Sequence, residues 1–395
     1  MCLCFNRGIE NGLAGNLSMF LQNKKLLYIF DAADWESRFA LASAAKENGA
    51  DVVIGLIGAK KGDESKAPDM KIVLLRKKQG ISKGVVTPLS MLRNIRKIVA
   101  REKPDIIHSV TLKYGFITAL AALGTGASHK IFTIAGLGYL YRSDDTKSIA
   151  LRYILWPFLL FALRRSKTQM IFQNADDRAL LIDNKIATVE TSHLIKGSGV
   201  YLDRFDASEK AQQDSVPLVF MPTRLVHEKG AAVFIDAARK LKSKGINARF
   251  EIAGGLTRDN PRAITKDQMD AMVEDSFVTW LGRIDNIPAK LKEASLIVYP
   301  SYYGEGIPRV LLESCAAGRP IITTDHPGCR EAVDHEKSGL LVPVKDSEAT
   351  AQAIETLLTN PDKLREMGRK AREKAEQEFD IHEIVRQTLE VYKTV

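Results

Sequence analysis

Residues Tyr299 to Val333 read YPSYYGEGIPRVLLESCAAGRPIITTDHPGCREAV: a strand end, a glycine-flanked acidic loop, a helix, then a second strand with its loop. At the centre stand Gly304, Glu305, Gly306, Ile307, Pro308 and Arg309, followed by Val310, Leu311, Leu312 and Glu313. Pro308 fits the first turn of a helix, where a missing N–H costs nothing. Glu305 then falls just before the helix and Glu313 inside it. Glycines on both sides of Glu305 let backbone approach a ligand closely, and the N–H groups that open a helix form an anion site. Two carboxylates and an anion cradle share one mouth. An acidic residue at a helix start is also a common complement to the helix dipole, and Glu313 also reads as a solvated helical position. Taken alone, the stretch leaves both readings open.

Outward from it, short apolar runs alternate with helical periods. Leu218 to Met221, Ala248 to Ala253, Phe277 to Leu281, Ser295 to Tyr299 and Gly339 to Val342 read as strands, with helices over Gly230 to Lys244, Ile287 to Glu293, Ser347 to Leu358 and Asp362 to Phe379, and from Ile381. The first half repeats the alternation, with strands at Lys25 to Phe30, Asp51 to Ile57, Lys71 to Leu75, Asp105 to Val110 and Lys130 to Ile134, and helices over Trp35 to Asn48 and Ser90 to Glu102. That alternation means α/β structure with parallel sheets covered on both faces, and ligands bound at the carboxyl ends of the strands. At 395 residues the chain exceeds one ordinary core. We expect an extension over 1–18, one domain over 19–206, a second over 207–380 after the polar linker Ala207 to Ser215, and a C-terminal helix over 381–395 that packs back on the first.

Hydrophobic content of 45% and charged content of 27% describe a globular chain rather than a disordered one. A formal charge of +9 and a pI near 9.2 favour an anionic partner: nucleic acid, lipid headgroups or a phosphorylated substrate. Nucleic acid is disfavoured because the basic residues are spread and aromatic residues are not interleaved with them. Cys2, Cys4, Cys315 and Cys329 match neither a disulfide framework nor a zinc site, so no metal is expected and the compartment reads as reduced and cytoplasmic. Ile154 to Leu163, with Trp156 inside and Arg152, Arg164, Arg165 and Lys167 around it, is shorter than the roughly 20 apolar residues a bilayer span needs. It reads as a buried helix or an interfacial segment, with the basic flanks and the basic helix at Ser90 favouring the membrane surface.

Several loops at strand ends carry polar groups. Asp31, Glu36 and Arg38 follow the first strand, His108 and Lys113 surround the end of the Asp105 strand, and Gly136 and Gly138 follow the Lys130 strand. The glycine pair is not a dinucleotide fingerprint, because the third glycine and the downstream acidic partner are missing. After the Leu218 strand, Arg224 and Lys229 precede Gly230, which opens a helix. Two cations beside a helix N-terminus form a strong diphosphate site.

Arg224-Leu225 with Lys229-Gly230, followed by Glu305 and Glu313, resembles glycosyltransferase family 4, retaining sugar transferases of the GT-B fold. Pro300-Ser301, Pro320-Ile321-Ile322, Gly328 to Val333 and Gly339-Leu340 match too, and the resemblance runs from about Lys24 to Val395. Through His108 to Ala122 and Gly136-Leu137-Gly138 the chain is most similar to bacterial enzymes that add N-acetylgalactosamine or a related sugar to undecaprenyl-diphosphate-linked glycans.

The resemblance implies two doubly wound Rossmann-like domains facing across a cleft and a UDP-sugar donor. It also implies a lipid-linked glycan acceptor at the inner face of the cell membrane, with peripheral membrane association, no cofactor and no metal in the chemical step. Arg224 and Lys229 would hold the diphosphate, Glu313 the ribose and Glu305 the sugar hydroxyls. Gly304, Gly306, Ile307, Pro308, Gly136 and Gly138 would line the donor. His108 would lie against the transferred sugar, and Lys113, Arg152, Trp156, Arg164 and Arg165 would serve the acceptor or membrane side. The loop from Asp31 to Arg38 lacks the family's Gly-Gly, and Gly328 to Glu331 matches only partly. The rival readings are a sugar-nucleotide epimerase or phosphorylase on the same fold, and a non-enzymatic basic binding module.

Overall fold

The computed structural model describes residues 19–75, 88–127, 129–138, 146, 167–205, 207, 216–256, 260, 262–274 and 276–395. The expectations for 1–18, for Cys2 and Cys4, and for Arg152, Trp156, Arg164 and Arg165 lie outside these residues.

The chain divides into two compact units. The first holds strands β1 (Lys25–Asp31), β2 (Asp51–Ile57), β3 (Lys71–Leu75), β4 (Ile106–Val110), β5 (His129–Ile134), β6 (Lys167–Phe172) and β7 (Ser192–Leu194), in the order 3-2-1-4-5-6-7. The second holds β8 (Leu218–Pro222), β9 (Arg249–Ala253), β10 (Val278–Trp280), β11 (Leu296–Tyr299), β12 (Ile321–Thr324) and β13 (Gly339–Val342), in the order 10-9-8-11-12-13. Every strand pair in both sheets is parallel, for example Leu26 on Val52 and Tyr28 on His108 in the first and Ile297 on Ile321 in the second.

Parallel strands in this architecture are buried on both faces, which is why their sequences run apolar without alternation. In the second unit Val219, Met221, Leu296 and Val298 enter one core with Phe234 and Leu241, while Leu218, Phe220, Ile297 and Tyr299 enter another with Leu311, Leu312 and Phe379. In the first unit Leu27, Ile29 and Ile107 pack under the helices Pro88–Glu102 and Leu112–Ala121. The opposite face of β1, with Tyr28, lies on the side of the helix Trp35–Glu47, which packs with the C-terminal helix Ile381–Lys393.

The second unit begins at Lys196 rather than Ala207 and also takes Gln173–Asp176, while Ile381–Val395 returns to the first. The earlier boundary has a physical cause: Val200 donates its N–H to the Phe379 carbonyl at 2.9 Å, and its side chain enters the second core. The long helix expected from Asp362 ends at Lys374 and continues as one π turn, Ala375–Phe379.

Candidate active site

Both sheets change direction beside their first strand, since β1 lies between β2 and β4 and β8 between β9 and β11. At such a switch the connections leave on opposite sides, and a crevice opens at the carboxyl ends. In the second unit the crevice loops follow β8 and β11. These loops carry Arg224, Lys229 and Glu305, so topology brings together residues far apart in sequence.

The two loops are sewn together by backbone. Tyr302 donates its N–H to the Glu228 carbonyl at 2.9 Å, the Ser301 hydroxyl donates to the same oxygen at 3.3 Å, and the Tyr302 hydroxyl donates to the His227 carbonyl at 3.1 Å. Gly230 closes the first loop in the left-handed region, φ 83°, and a Cβ there would collide with the Pro300 carbonyl. Only glycine satisfies both conditions. A third strand of chain braces the same loop: His227 donates its N–H to Arg262 O at 3.1 Å, Ile264 donates to Leu225 O at 3.0 Å, and the Arg262 guanidinium holds Glu228 Oε1 at 2.7 Å.

Lys229 is the centre of this assembly, with its side chain 2% exposed. Its ammonium donates to Glu305 Oε1 and lies 5.3 Å from the centre of the Tyr299 ring and 5.1 Å from that of Tyr303. The Tyr299 hydroxyl donates to the same carboxylate oxygen at 3.4 Å. Burial pulls the Lys229 pKa below the ordinary lysine range, and the Glu305 carboxylate partly opposes that shift. Burial, reinforced by Glu305, raises the Tyr299 pKa well above its usual value, so the phenol stays a donor. Arg224 is exposed, and its guanidinium has no hydrogen-bond or ion-pair partner among the described residues. One caged cation and one open cation thus share the mouth.

Pro308 caps the helix Arg309–Ala316 from one position earlier than expected, its carbonyl accepting from Leu311 N at 2.9 Å. Ile307 sends its side chain into the core, so what it and buried Gly306 offer a ligand is backbone, and their N–H groups meet no acceptor among the described residues. Gly304 is half-buried beside them. Gly328, φ 84°, packs so closely on the Glu305 and Gly306 carbonyls that a Cβ would not fit. Glu313 lies in the helix with Oε1 held by Arg309 Nε at 2.8 Å.

His108 is not placed as expected. It is 1% exposed, with Nδ1 bonded to the Tyr392 hydroxyl at 2.7 Å and Nε2 to the Thr133 hydroxyl at 2.8 Å. Both ring nitrogens are taken up by hydrogen bonds inside the first unit's core. Burial, aided by the Arg38 charge, drops its pKa to about 3. Lys113 is exposed over the Tyr114 ring, and Gly136 and Gly138 turn the chain at the end of β5 with φ of 89° and 66°. All three belong to the first unit.

Sequence reasoning missed Tyr299, Tyr303, Glu228 and Arg262. The Tyr302-Tyr303 pair abutting Gly304, and an acid directly before Lys229, were the available signals.

Residues 203–374 match the family described as Glycosyl transferases group 1, and residues 25–174 the Glycosyl transferase 4-like family. The chain belongs to these glycosyltransferases, with a 4-like domain followed by a group 1 domain on the GT-B fold. It is 27% identical over 334 residues to the N,N'-diacetylbacillosaminyl-diphospho-undecaprenol alpha-1,3-N-acetylgalactosaminyltransferase of Campylobacter jejuni, covering 80% of this chain and 84% of that one. It is 23% identical over 320 residues to the Escherichia coli UDP-Gal:alpha-D-GlcNAc-diphosphoundecaprenol alpha-1,3-galactosyltransferase, covering 78% and 80%. Its fold resembles that of Anabaena HepE, solved with UDP and glucose, with a TM-score of 0.74 at 17% identity over 94% of this chain and 100% of that one.

Proposed function

We propose that the protein transfers a hexose or N-acetylhexosamine, with GalNAc favoured, from a UDP-sugar to a polyprenyl-diphosphate-linked glycan, with retention at the anomeric carbon. The observation that carries this reading is the Arg224, Lys229 and Glu305 cluster at the β8/β11 switch. A diphosphate entering there competes with Glu305 for the Lys229 ammonium and gains the open Arg224 fork, which suits phosphate oxygens. Glu305, released from Lys229, is then free to accept hydroxyls of the donor sugar, and Glu313 those of the ribose.

In the reaction the bond from the anomeric carbon to the β-phosphate oxygen breaks, and the acceptor oxygen bonds to the same face of that carbon. The acceptor proton passes to the departing phosphate oxygen, leaving UDP. Charge builds on the diphosphate as the bond breaks, so cations held in place beforehand stabilise the transition state without reorganising, and no metal is needed for that purpose. The names of the relatives, both acting on undecaprenyl-diphosphate-linked glycans, favour the acceptor class.

We place the enzyme peripherally on the inner membrane face. The helix Pro88–Glu102 exposes Leu89, Arg93, Lys97 and Arg101, a combination suited to anionic lipid. No helix among the described residues is long and apolar enough to cross a membrane.

The test is incubation of the purified protein with a panel of UDP-sugars and a lipid-linked acceptor, with product anomeric configuration read by NMR. Transfer from UDP-GalNAc or another UDP-hexose is the expected result. UDP-sugar turnover that needs no acceptor, or UDP binding indifferent to Arg224→Ala, would sink the reading.

A further inference from the structure

Tyr299 ends β11 with its backbone fixed. Its carbonyl accepts from the Thr323 hydroxyl at 2.7 Å and from Ser301 N at 2.9 Å, and the residue is 3% exposed. The ring belongs to the core that holds Leu311, Leu312 and Phe379, so a rigid element, not a loop, presents the hydroxyl. That hydroxyl stands among the groups of the donor mouth. It donates to Glu305 Oε1 at 3.4 Å, the Thr223 side chain is within hydrogen-bonding reach of it, and the charges of Glu305 and Arg224 both act on it. The Lys229 ammonium lies 5.3 Å from the centre of the ring.

The Glu305 carboxylate has two hydrogen-bond donors among the described residues, the Lys229 ammonium and the Tyr299 hydroxyl, and both act on Oε1. No described residue donates to Oε2. The two donors differ in how firmly they stay. An entering diphosphate competes for a cation far more strongly than for a neutral phenol, and the lysine stem is flexible. Tyr299 is held by its strand and its core, and burial with the Glu305 charge keeps the phenol protonated. Once the ammonium has turned to the phosphates, Tyr299 is the donor that remains. A carboxylate pinned at one oxygen presents the other in a fixed direction. That matters because a misplacement of about 1 Å near the reacting atoms can cost roughly 100-fold.

We propose that Tyr299 is a positioning residue for the donor sugar: when the diphosphate draws Lys229 away, its hydroxyl keeps Glu305 Oε1 and leaves Oε2 aimed at a sugar hydroxyl. This role rests on the proposed reading of Glu305 as the acceptor of donor-sugar hydroxyls, since Tyr299 acts through Glu305 and not on the substrate.

The test uses the full chain as the parent, Tyr299→Phe, Glu305→Ala and the double variant. Titration calorimetry with UDP, UDP-GalNAc and UDP-glucose gives the affinity for each sugar nucleotide relative to UDP, and steady-state kinetics gives kcat and KM. Tyr299→Phe keeps the ring, and with it the core and the contact with Lys229, so Tm and UDP affinity should stay near the parent's. Affinity for the sugar nucleotides relative to UDP should fall about fivefold, and kcat about tenfold, the scale for one hydrogen bond to a charged group. In the Glu305→Ala background the same change should cost nothing further, because both substitutions remove one contact. An unchanged ratio and kcat in Tyr299→Phe, an equal loss for UDP and the sugar nucleotides, or full additivity in the double variant overturns the proposal. If Glu305→Ala does not fold, the ratio in Tyr299→Phe decides alone. Should Glu305→Ala itself leave the ratio unchanged, the proposed role of Glu305 fails and that of Tyr299 with it; should only Tyr299→Phe leave it unchanged, the role of Glu305 stands and Tyr299 serves packing alone.

Discussion

Lys229 and Arg38 each follow the central strand at the switch of a parallel sheet, Lys229 just before the next helix and Arg38 in its first turn, and each is buried. Lys229 meets a carboxylate and two tyrosine rings. Arg38 acts on Tyr28, His108 and Tyr392, with the Asp34 charge also acting on Tyr28, and keeps an unsatisfied Nε. In the second unit, therefore, an acid within the chain stands where a ligand's phosphate would go, and binding is an exchange of one anion for another. In the first unit Arg38 forms no ion pair with a described residue. The lesson is that one fold holds a buried cation in two ways, one paired with an acid and one without an ion pair among the described residues.

The comparison is tested hardest at Lys229. Lys229→Ala should destabilise the fold by about 3 kcal/mol, the lower end for breaking a buried pair, because Glu305 keeps 20% of its side-chain surface exposed and can rehydrate. A urea titration measures this, and Lys229→Met with Glu305→Leu should recover much of the loss without restoring transfer. In the intact protein the depressed lysine pKa means that UDP affinity falls as pH rises, from below the usual lysine range. Lys229→Arg should move that alkaline limb upward. A Lys229→Ala protein as stable as the parent would show that the Glu305 contact contributes little.

Arg224 gives the opposite separation of stability from activity. Because it is exposed and makes no side-chain pair, Arg224→Ala should leave Tm nearly unchanged. Its kcat/KM should nonetheless fall by about 2–4 kcal/mol, a factor of roughly 30 to 10³, the scale for one preorganised charge donor. Steady-state kinetics beside a melting curve test both halves.

The comparison also marks what was legible in the sequence. Strand runs buried on both faces, glycines at strand ends and the order of Arg224, Lys229, Glu305 and Glu313 are local, and the parallel-sheet fold follows from them. Which group each charge meets is not local. Lys229 reaches Glu305 across 76 residues, and His108 reaches Tyr392 across 284. A histidine at a strand end reads as exposed until a helix from the far end of the chain is known to cover it. Arg38 shows the converse: a charged residue in a first helical turn normally points to solvent, and its burial depends on the sheet and helices around it.

His108 supplies an effect of intermediate size. A depressed pKa in the folded state means that the unfolded chain binds the extra proton between the ordinary histidine value of 6.5 and about 3. The neutral ring's contribution is therefore fully present above pH 6.5 and lost as pH falls through that window, at up to about 1.4 kcal/mol per pH unit. His108→Asn should flatten the acid limb of the stability curve, and Tyr392→Phe should lower stability near pH 7 by roughly 1 kcal/mol for the lost hydrogen bond. A steep acid limb surviving in His108→Asn would assign it to other groups.

The smallest expected effect asks how the caged site keeps its shape. Arg262 holds Glu228, the residue before Lys229, while its backbone carbonyl accepts from His227. The pair is partly exposed, with side chains 35% and 18% accessible, so its worth to overall stability is screened to within about 1 kcal/mol. Its worth to binding depends on what the loop does. If the brace sets where Lys229 and Arg224 stand, Arg262→Ala should weaken UDP by roughly fivefold and UMP much less, since UMP lacks the β-phosphate. Titration calorimetry with the two nucleotides separates that from a general loosening, which would weaken both equally. Arg262→Lys should recover only part of the loss, because an ammonium keeps the charge but not the planar fork that pairs with a carboxylate.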